Sequence, residues 1–362
     1  MSYPVCYARS RELKLAQTPV AGGGGGGGLT AETKMNASIQ EYLSSLRLGE
    51  PQTHRNIVVF PLIGSTYGDS RWLTLGEALE QQRLSVTEVS QGGSVPELIV
   101  INRADRPVLL LDGEELIGAK QNRVLNTTIL LKEKSETVVP VSCTERGRWS
   151  YVSAAFADAK VVMASKIRVQ KMMAVSESLA ASEGFNSDQG EVWEEIAALH
   201  AKSGTNSPTG AMHDVFKARE RELEDWLRTF APVPEQTGLL LVIDGEVVGF
   251  DFIPDPRVYA LEHSKLVKSY IIEALAQPDR GSADLDAART RATSFLSEVS
   301  GCAERTFASI GYGTDCRYQK PGLAGAALMH DDKVVHTAFF RLVEAEQPGR
   351  PISPPRRRRF VE

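Results

Sequence analysis

Between Asn56 and Cys143 the chain runs through NIVVFPLI, PELIVIN, PVLLLDG, RVLNTTILL and TVVPVSC, with polar turns as short as RADRP and KEKSE between neighbouring runs. That spacing leaves little choice of topology. A parallel pair needs a long crossover, usually a helix, so strands this close are expected to pair antiparallel. Helical signals precede and interrupt them: Ile39, Tyr42, Leu43 and Leu46 recur at helical spacing, and Thr74 with Glu77 forms a capping-box signature. From about Ala157 the period changes, and ASKIRVQKMMAVSESLAAS, DQGEVWEEIAALHAKSG, MHDVFKARERELEDWLRTF and HSKLVKSYIIEALAQ read as helices. Asp188 can cap the second of these with Glu191 three residues on, while Leu223, Trp226, Leu227 and Phe230 stripe the third. Two hairpins interrupt the helices, one turning at Asp244-Gly245 and one at Asp331-Asp332. The expected architecture is α+β, with an antiparallel β-rich N-terminal half packed against a helical C-terminal half that carries the two hairpins.

A hydrophobic content of 42% is enough for a sizeable core, and residues 35–345 are expected to form a single α+β domain. Residues 1–34 hold the glycine run Gly22 to Gly28, and residues 346–362 pair prolines with Arg356 to Arg359, so both ends read as disordered tails. The glycine run is no phosphate loop, because no Gly-Lys-Ser/Thr closes it and no apolar strand precedes it. Met35, at the first amphipathic segment, is an alternative start of translation. Net charge −5 with pI near 5.8 provides no basic field for non-specific nucleic-acid binding. The four cysteines are too scattered for a disulfide framework, which points to a reducing, cytoplasmic setting. No signal peptide or membrane-length apolar run is present, so no membrane partner is expected.

The stretch LLLDGEELIGAKQNRVLNTT concentrates chemistry. Read as strand, turn and second strand, it gathers Glu114 and Glu115 with Lys120 and Arg123 in one patch, to which Gln121, Asn122 and Asn126 add amide groups. Lys120 and Arg123 suit the charges of a diphosphate, and Asp112, Glu114 or Glu115 suit Mg²⁺ or ribose hydroxyls. A self-neutralising surface hairpin has the same composition. LLLVIDGEVVG repeats the Asp-Gly-Glu turn, as two hairpins with the same favoured chemistry would, but continues into apolar residues where the first copy continues into Lys120 to Arg123.

VPVSCTERGRWSY is the second candidate, with Glu145, Arg146 and Arg148 following Cys143. Cations beside a thiol would favour a thiolate, but no histidine lies nearby in sequence to act as base, and a buried structural cysteine fits as well. Arg148 and Trp149 could offer a guanidinium and a stacking face to a nucleotide, or Trp149 could be core. The six histidines form no His-Glu-x-x-His motif; His330 and His336 flank a turn and are expected to face each other across a hairpin, which gives only weak support for a zinc site. ARERELEDWLR has the charge density of a Nudix-type helix, yet Trp226 stands where its last acid belongs, so a solvated face with Trp226 inward is expected. No Gly-x-Ser-x-Gly supports a serine hydrolase.

At LLLDGEELIGAKQNRVLN, VPVSCTERGRW and SPTGAMHDVF the chain resembles a bacterial domain family associated with ADP-ribosylglycohydrolases and rhodanese-phosphatases, from about Met35 into the C-terminal hairpin. The resemblance implies a context of NAD and ADP-ribose metabolism and carries no settled reaction with it. It marks Glu114, Glu115, Lys120, Gln121, Asn122 and Arg123 as site positions, then Glu145 and Arg148, with Asp214 either a site acid or a first-turn helix acid. Two functions follow as expectations. One is binding, and hydrolysis or transfer, of an ADP-ribose-like or NAD-derived ligand, with Glu114 or Glu115 as base or metal ligand. The other is a non-catalytic partner of an ADP-ribose-processing enzyme.

Overall fold

A computed structural model describes residues 33–342 apart from 67, 69–71, 91, 94 and 276–280; the expected C-terminal tail and residues 1–32 lie outside the described residues, whereas Thr33 and Lys34, expected in the N-terminal tail, form a short strand paired with Ala303 and Glu304. The N-terminal part contains β1 (Thr33–Lys34), α1 (Ala37–Ser45), β2 (Arg47–Leu48), β3 (Gln52–His54), β4 (Ile57–Ile63), β5 (Leu73–Thr74), α2 (Leu75–Glu80), β6 (Leu84–Glu88), β7 (Glu97–Asn102) and β8 (Val108–Leu110). It continues with β9 (Glu114–Gly118), β10 (Arg123–Leu125), β11 (Ile129–Leu131), β12 (Ser135–Cys143) and β13 (Phe156–Val162). The helices α3 (Ser165–Ala180), α4 (Gln189–Ser203), α5 (Met212–Ala218) and α6 (Glu220–Thr229) follow. The chain closes with β14 (Gly238–Ile243), β15 (Glu246–Phe252), α7 (Pro256–Ala274), α8 (Leu285–Val299), β16 (Ala303–Ala308), β17 (Thr314–Lys320), β18 (Leu323–His330) and β19 (Lys333–Arg341).

The strands are antiparallel with one exception, a short parallel pairing of β5 with β8 that α2 and the strands after it make long enough to close. A six-stranded sheet, β13-β9-β10-β12-β7-β6, belongs to the N-terminal region, which includes a curled half-barrel. The largest sheet departs from the expected division into halves. Its order, β1-β16-β17-β18-β19-β15-β14-β4-β2 with β3 also on β4, joins the C-terminal strands to β4 of the N-terminal region. The two hairpins are therefore central parts of this sheet rather than attachments to a helical half. Its middle strands are covered on both faces: Val58, Phe60, Leu240 and Phe250 pack with Ile39 of α1 and Phe295 of α8, while Val59, Leu239 and Leu241 join the core with α3 to α7. That double burial is why NIVVFPLI and LLLVI are continuously apolar instead of alternating.

Local signals explain many element boundaries. Thr74 and Glu77 make both halves of the capping box, and Asp188 Oδ1 accepts the Glu191 N–H at the start of α4. Asp244 and Gly245 both have positive φ, as do Asp331 and Asp332, the backbone that tight hairpin turns require. Trp226 is buried as expected. Several expectations need correction. RVLNTTILL is two strands in different sheets, with Asn126 to Thr128 between them, and MHDVFKARERELEDWLRTF is two helices broken at Arg219. The change to helices comes after Val162, since FADAKVV is β13. His330 and His336 do not face each other: His330 pairs with Lys333 and stacks on Tyr312, whereas His336 pairs with Leu328 and its Nε2 lies 2.9 Å from Asp251 Oδ1.

Candidate functional site: two faces of one strand

Alternation along β9 sends the adjacent Glu114 and Glu115 to opposite faces, so the acids read as one patch are divided. Glu114 turns toward α7, where Lys265 Nζ lies 2.5 Å from Oε1 and the Leu111 N–H donates to Oε2 at 2.7 Å. Lys265 also holds Asp158 and Glu262, each at 3.1 Å. Burial pushes the Glu114 carboxyl up to about 8 against the pull of Lys265, with Glu262 and Asp158 adding to the rise. Asp112 belongs to an adjoining cluster: Arg168 Nε donates to it at 2.9 Å and Lys171 Nζ donates as well. Burial favours the protonated Asp112, but Lys171 and Arg168 outweigh it and hold the carboxyl below its usual range. Arg168 spans from Asp112 to Asp251, which also accepts from the Tyr270 hydroxyl at 2.7 Å. These acids are already engaged by ammonium and guanidinium groups. They do not fit the expected Mg²⁺ role, and among the described residues no group of three or more His, Cys, Asp or Glu is arranged to hold a metal.

The other face is less closed. Glu115, fully buried, accepts from Thr144 Oγ1 at 2.7 Å, and its Oε2 lies 3.4 Å from His213 Nδ1. Glu145 follows Thr144 and binds Arg148 Nε at 2.9 Å and Nη2 at 2.5 Å, while the Asn122 N–H donates to it at 3.2 Å. Burial tends to raise Glu145, but the bonds from Arg148, Thr209 and Asn122 bring it below its ordinary value. Arg148 also donates to the carbonyls of Gly118 and Ala119 and to Asn122 Oδ1, pinning the turn between β9 and β10. Asn126 is an internal bolt: its Oδ1 accepts from Ser142 at 2.6 Å and its Nδ2 donates to Phe185 O at 2.9 Å.

Arg123, opposite Leu116 and Cys143 in the sheet, is fully buried. Its Nη1 donates to Gln121 O at 3.1 Å, Gln121 Oε1 at 3.3 Å and Asn122 O at 3.4 Å. Its Nε and Nη2, the parallel fork of the guanidinium, have no hydrogen-bond acceptor. Glu88 Oε1 lies 3.7 Å from Nη2, at ion-pair distance. Lys120 Nζ donates to Gly92 O at 2.7 Å and sits 5.2 Å from the ring centres of both Trp149 and Tyr151. Trp149 also covers the Arg123 guanidinium at 5.7 Å, and the two rings are 47% and 49% exposed. Gly93, at φ +77°, makes room for this stack, since a Cβ there would meet Trp149 at 3.2 Å and Lys120 at 3.3 Å. Cys143 lies buried beside it, and burial pushes its thiol up to about 11, so it is no thiolate nucleophile.

Several residues around these clusters escaped the sequence reading. Arg168 and Lys171, and Glu262 and Lys265, are charged groups on otherwise apolar helix faces, a signal legible in KIRVQKMM and LEHSKLVKSYII. In SPTGAMHDVF the weight fell on Asp214, which accepts from Ser207 Oγ at 2.6 Å; His213 beside it is the side chain turned toward the sheet. Thr144, between Cys143 and Glu145, gave no signal of its own.

Fold and site together define an α+β protein whose β9–β10 turn presents cations, amides and aromatic rings above a closed ionic core. A family model for the ARPP-1 domain, described as the ARG and Rhodanese-Phosphatase-superfamily-associated Protein domain, matches residues 45–340, and the chain belongs to that family. The family is associated with ADP-ribosylglycohydrolase and rhodanese-phosphatase systems. Searches of curated proteins and of solved structures return no significant match. Among the described residues no helix is long and apolar enough to cross a membrane.

Proposed function

We propose that the protein binds an ADP-ribose-like or NAD-derived ligand at the β9–β10 turn. The observation that carries this reading is the Arg123 fork, held in place through Nη1 and left without acceptors beneath Trp149. A buried donor without a partner costs roughly 1–3 kcal/mol, so a fork of this kind favours an oxyanion. Lys120 adds a second cation, and Trp149 and Tyr151 offer faces on which a base can stack at about 1–3 kcal/mol per base. Gln121, Asn122, Glu145 and Arg148 form the frame that fixes the two cations. The family's association with ADP-ribose-processing systems selects this class of ligand among phosphate-bearing molecules.

Calorimetric titration of the full chain with ADP-ribose and NAD, with and without Mg²⁺, tests the reading beside a Lys120→Ala, Arg123→Ala variant. Saturable binding to the wild type, weakened at least tenfold in a variant that keeps its circular dichroism, is the expected result. No binding of either nucleotide to the wild type would count against it. A second reading has its own observation: Trp149, Tyr151 and Val152 form an exposed run of large side chains, and aromatic residues are the usual anchors of protein interfaces. A folded wild type that ignores nucleotides and pulls down an ADP-ribosylglycohydrolase through Trp149 would favour that non-catalytic role.

A further inference from the structure

The Arg123 fork has an unmatched neighbour of opposite charge. Alternation along β6 turns Leu84, Val86 and Glu88 to one side, and the two apolar residues pack with Leu98, Leu125, Val139 and Val141 inside the curled half-barrel. Glu88 closes that stripe at the rim where Arg123 and Cys143, paired across β10 and β12, close the inward rows of their own strands. Apolar filling gives way there to a carboxylate and a guanidinium. Glu88 Oε1 accepts the Lys120 N–H at 3.4 Å and lies 3.7 Å from Arg123 Nη2. Its Oε2 accepts no hydrogen bond, although the side chain is only 3% exposed. A donor fork and an acceptor are thus buried side by side without closing on each other.

A phosphate alone answers half of this arrangement. It satisfies the fork, but it brings acceptors and negative charge toward Glu88. A sugar hydroxyl supplies the missing donor on the same molecule as the oxyanion, which is how an acidic residue reads a ribose beside its phosphate. The exposed rings of Trp149 and Tyr151 set the orientation, with a base stacked on the rim and the adjoining ribose and phosphate directed into the mouth of the half-barrel.

We propose that Glu88 is the specificity residue of this site and accepts the ribose 2′-hydroxyl of a nucleoside 5′-diphosphate whose phosphate the Arg123 fork holds. The inference rests on the ligand reading above and adds to it a requirement for the hydroxyl. Its carboxylate works against phosphate binding in general and favours the ligand that brings a donor. A 2′-phosphate in place of the hydroxyl would set like charge against it. Ribose and phosphate reach Glu88 when the Trp149 side chain turns outward. The backbone on either side of that ring stays tied, by Arg148 to Glu145 and by the Val152 N–H to Ala119 O at 3.0 Å.

The test is calorimetric titration of the full chain, as wild type and Glu88→Gln, with ADP, 2′-deoxy-ADP, NAD and NADP. The wild type should bind ADP at least about tenfold more tightly than 2′-deoxy-ADP, and NAD at least about tenfold more tightly than NADP, because the wrong ligand leaves a buried acceptor unmet or opposes its charge. In Glu88→Gln both ratios should fall below about threefold, while 2′-deoxy-ADP binds no more weakly than to the wild type, since a neutral amide no longer repels phosphate. A Glu88 that merely anchors Arg123 would instead weaken all four ligands alike. That result, equal wild-type affinities for ADP and 2′-deoxy-ADP, or ratios that survive Glu88→Gln would overturn the inference and leave the ligand reading standing. A wild type that binds none of the four, nor ADP-ribose, would overturn both. If Glu88→Gln loses its circular dichroism, Glu88→Asp replaces it: the carboxylate is kept but withdrawn by one methylene, the ratios should still fall, and unchanged ratios would overturn the inference.

Discussion

Arg168 and Arg123 are both fully buried, and they are used in opposite ways. Arg168 donates from Nε to Asp112 and from both Nη atoms to Asp251, so its charge is matched from two sides. Arg123 donates from Nη1 alone, to groups of its own turn, and its fork has no acceptor. Burial therefore does not distinguish a structural charge from a functional one. The matching of donors to acceptors does: a closed network fixes helices to strands, and an incomplete one leaves electrostatic work for a ligand to complete.

The largest effect should come from breaking the closed network. Arg168→Met leaves Asp251 and Asp112 buried without their guanidinium, and the expected loss is about 3–5 kcal/mol in urea unfolding. Arg123→Met removes a guanidinium whose fork makes no hydrogen bond and meets its carboxylate, Glu88, only at 3.7 Å, and it should cost less than about 2 kcal/mol. Similar losses for the two variants would break the contrast between the arginines. A near-neutral Arg123→Met that has lost its response to ADP-ribose would sharpen it.

The two glutamates of β9 give a second contrast, visible against pH. Glu114 is lifted from 4.5 to about 8 by burial, so the folded chain keeps a proton there that the unfolded chain releases. The folded state then binds more protons between those values, and the contribution of Glu114 to stability falls as pH rises from about 4.5 to about 8. Glu114→Gln should flatten that part of the wild-type stability profile. Unfolding midpoints in urea at closely spaced pH values measure it, and parallel profiles for the two proteins would place the proton elsewhere in the Lys265 cluster.

Much of this framework was legible because it rests on local rules. Strand spacing, the Thr74 and Glu77 capping box, the Asp188 cap and the hairpin turns are set by neighbours in sequence. Helix α8 is absent from the helices expected from the sequence for an equally local reason: its buried face is Ala288, Ala292, Phe295 and Val299, and two alanines give a faint apolar stripe. The division of the polar cluster was legible only in part. Alternation along a strand separates Glu114 from Glu115, but which face meets Lys265 and which meets His213 depends on helices far along the chain. Asp112 looked available for a ligand because its partners, Arg168 and Lys171, lie more than fifty residues away. A single sequence shows where charges are concentrated, and tertiary packing decides which of them are already matched.

The smallest expected change in stability tests the open side most directly. Trp149 is 47% exposed, and its ring lies over the cationic groups of Lys120 and Arg123. Trp149→Ala should alter unfolding free energy by no more than about 0.5 kcal/mol, as surface substitutions usually do. Loss of a stacking face under a base costs about 1–3 kcal/mol of binding, so affinity for ADP-ribose should fall roughly 5- to 150-fold in the same calorimetric titration. A variant that unfolds several degrees earlier but binds unchanged would make Trp149 a cap on Arg123. The fork would then be closed in the resting protein, and the difference between the two arginines would be one of degree. Unchanged stability with weakened binding would instead assign the ring to the ligand, and the unmatched donors beneath it to the phosphate that the ring helps to hold.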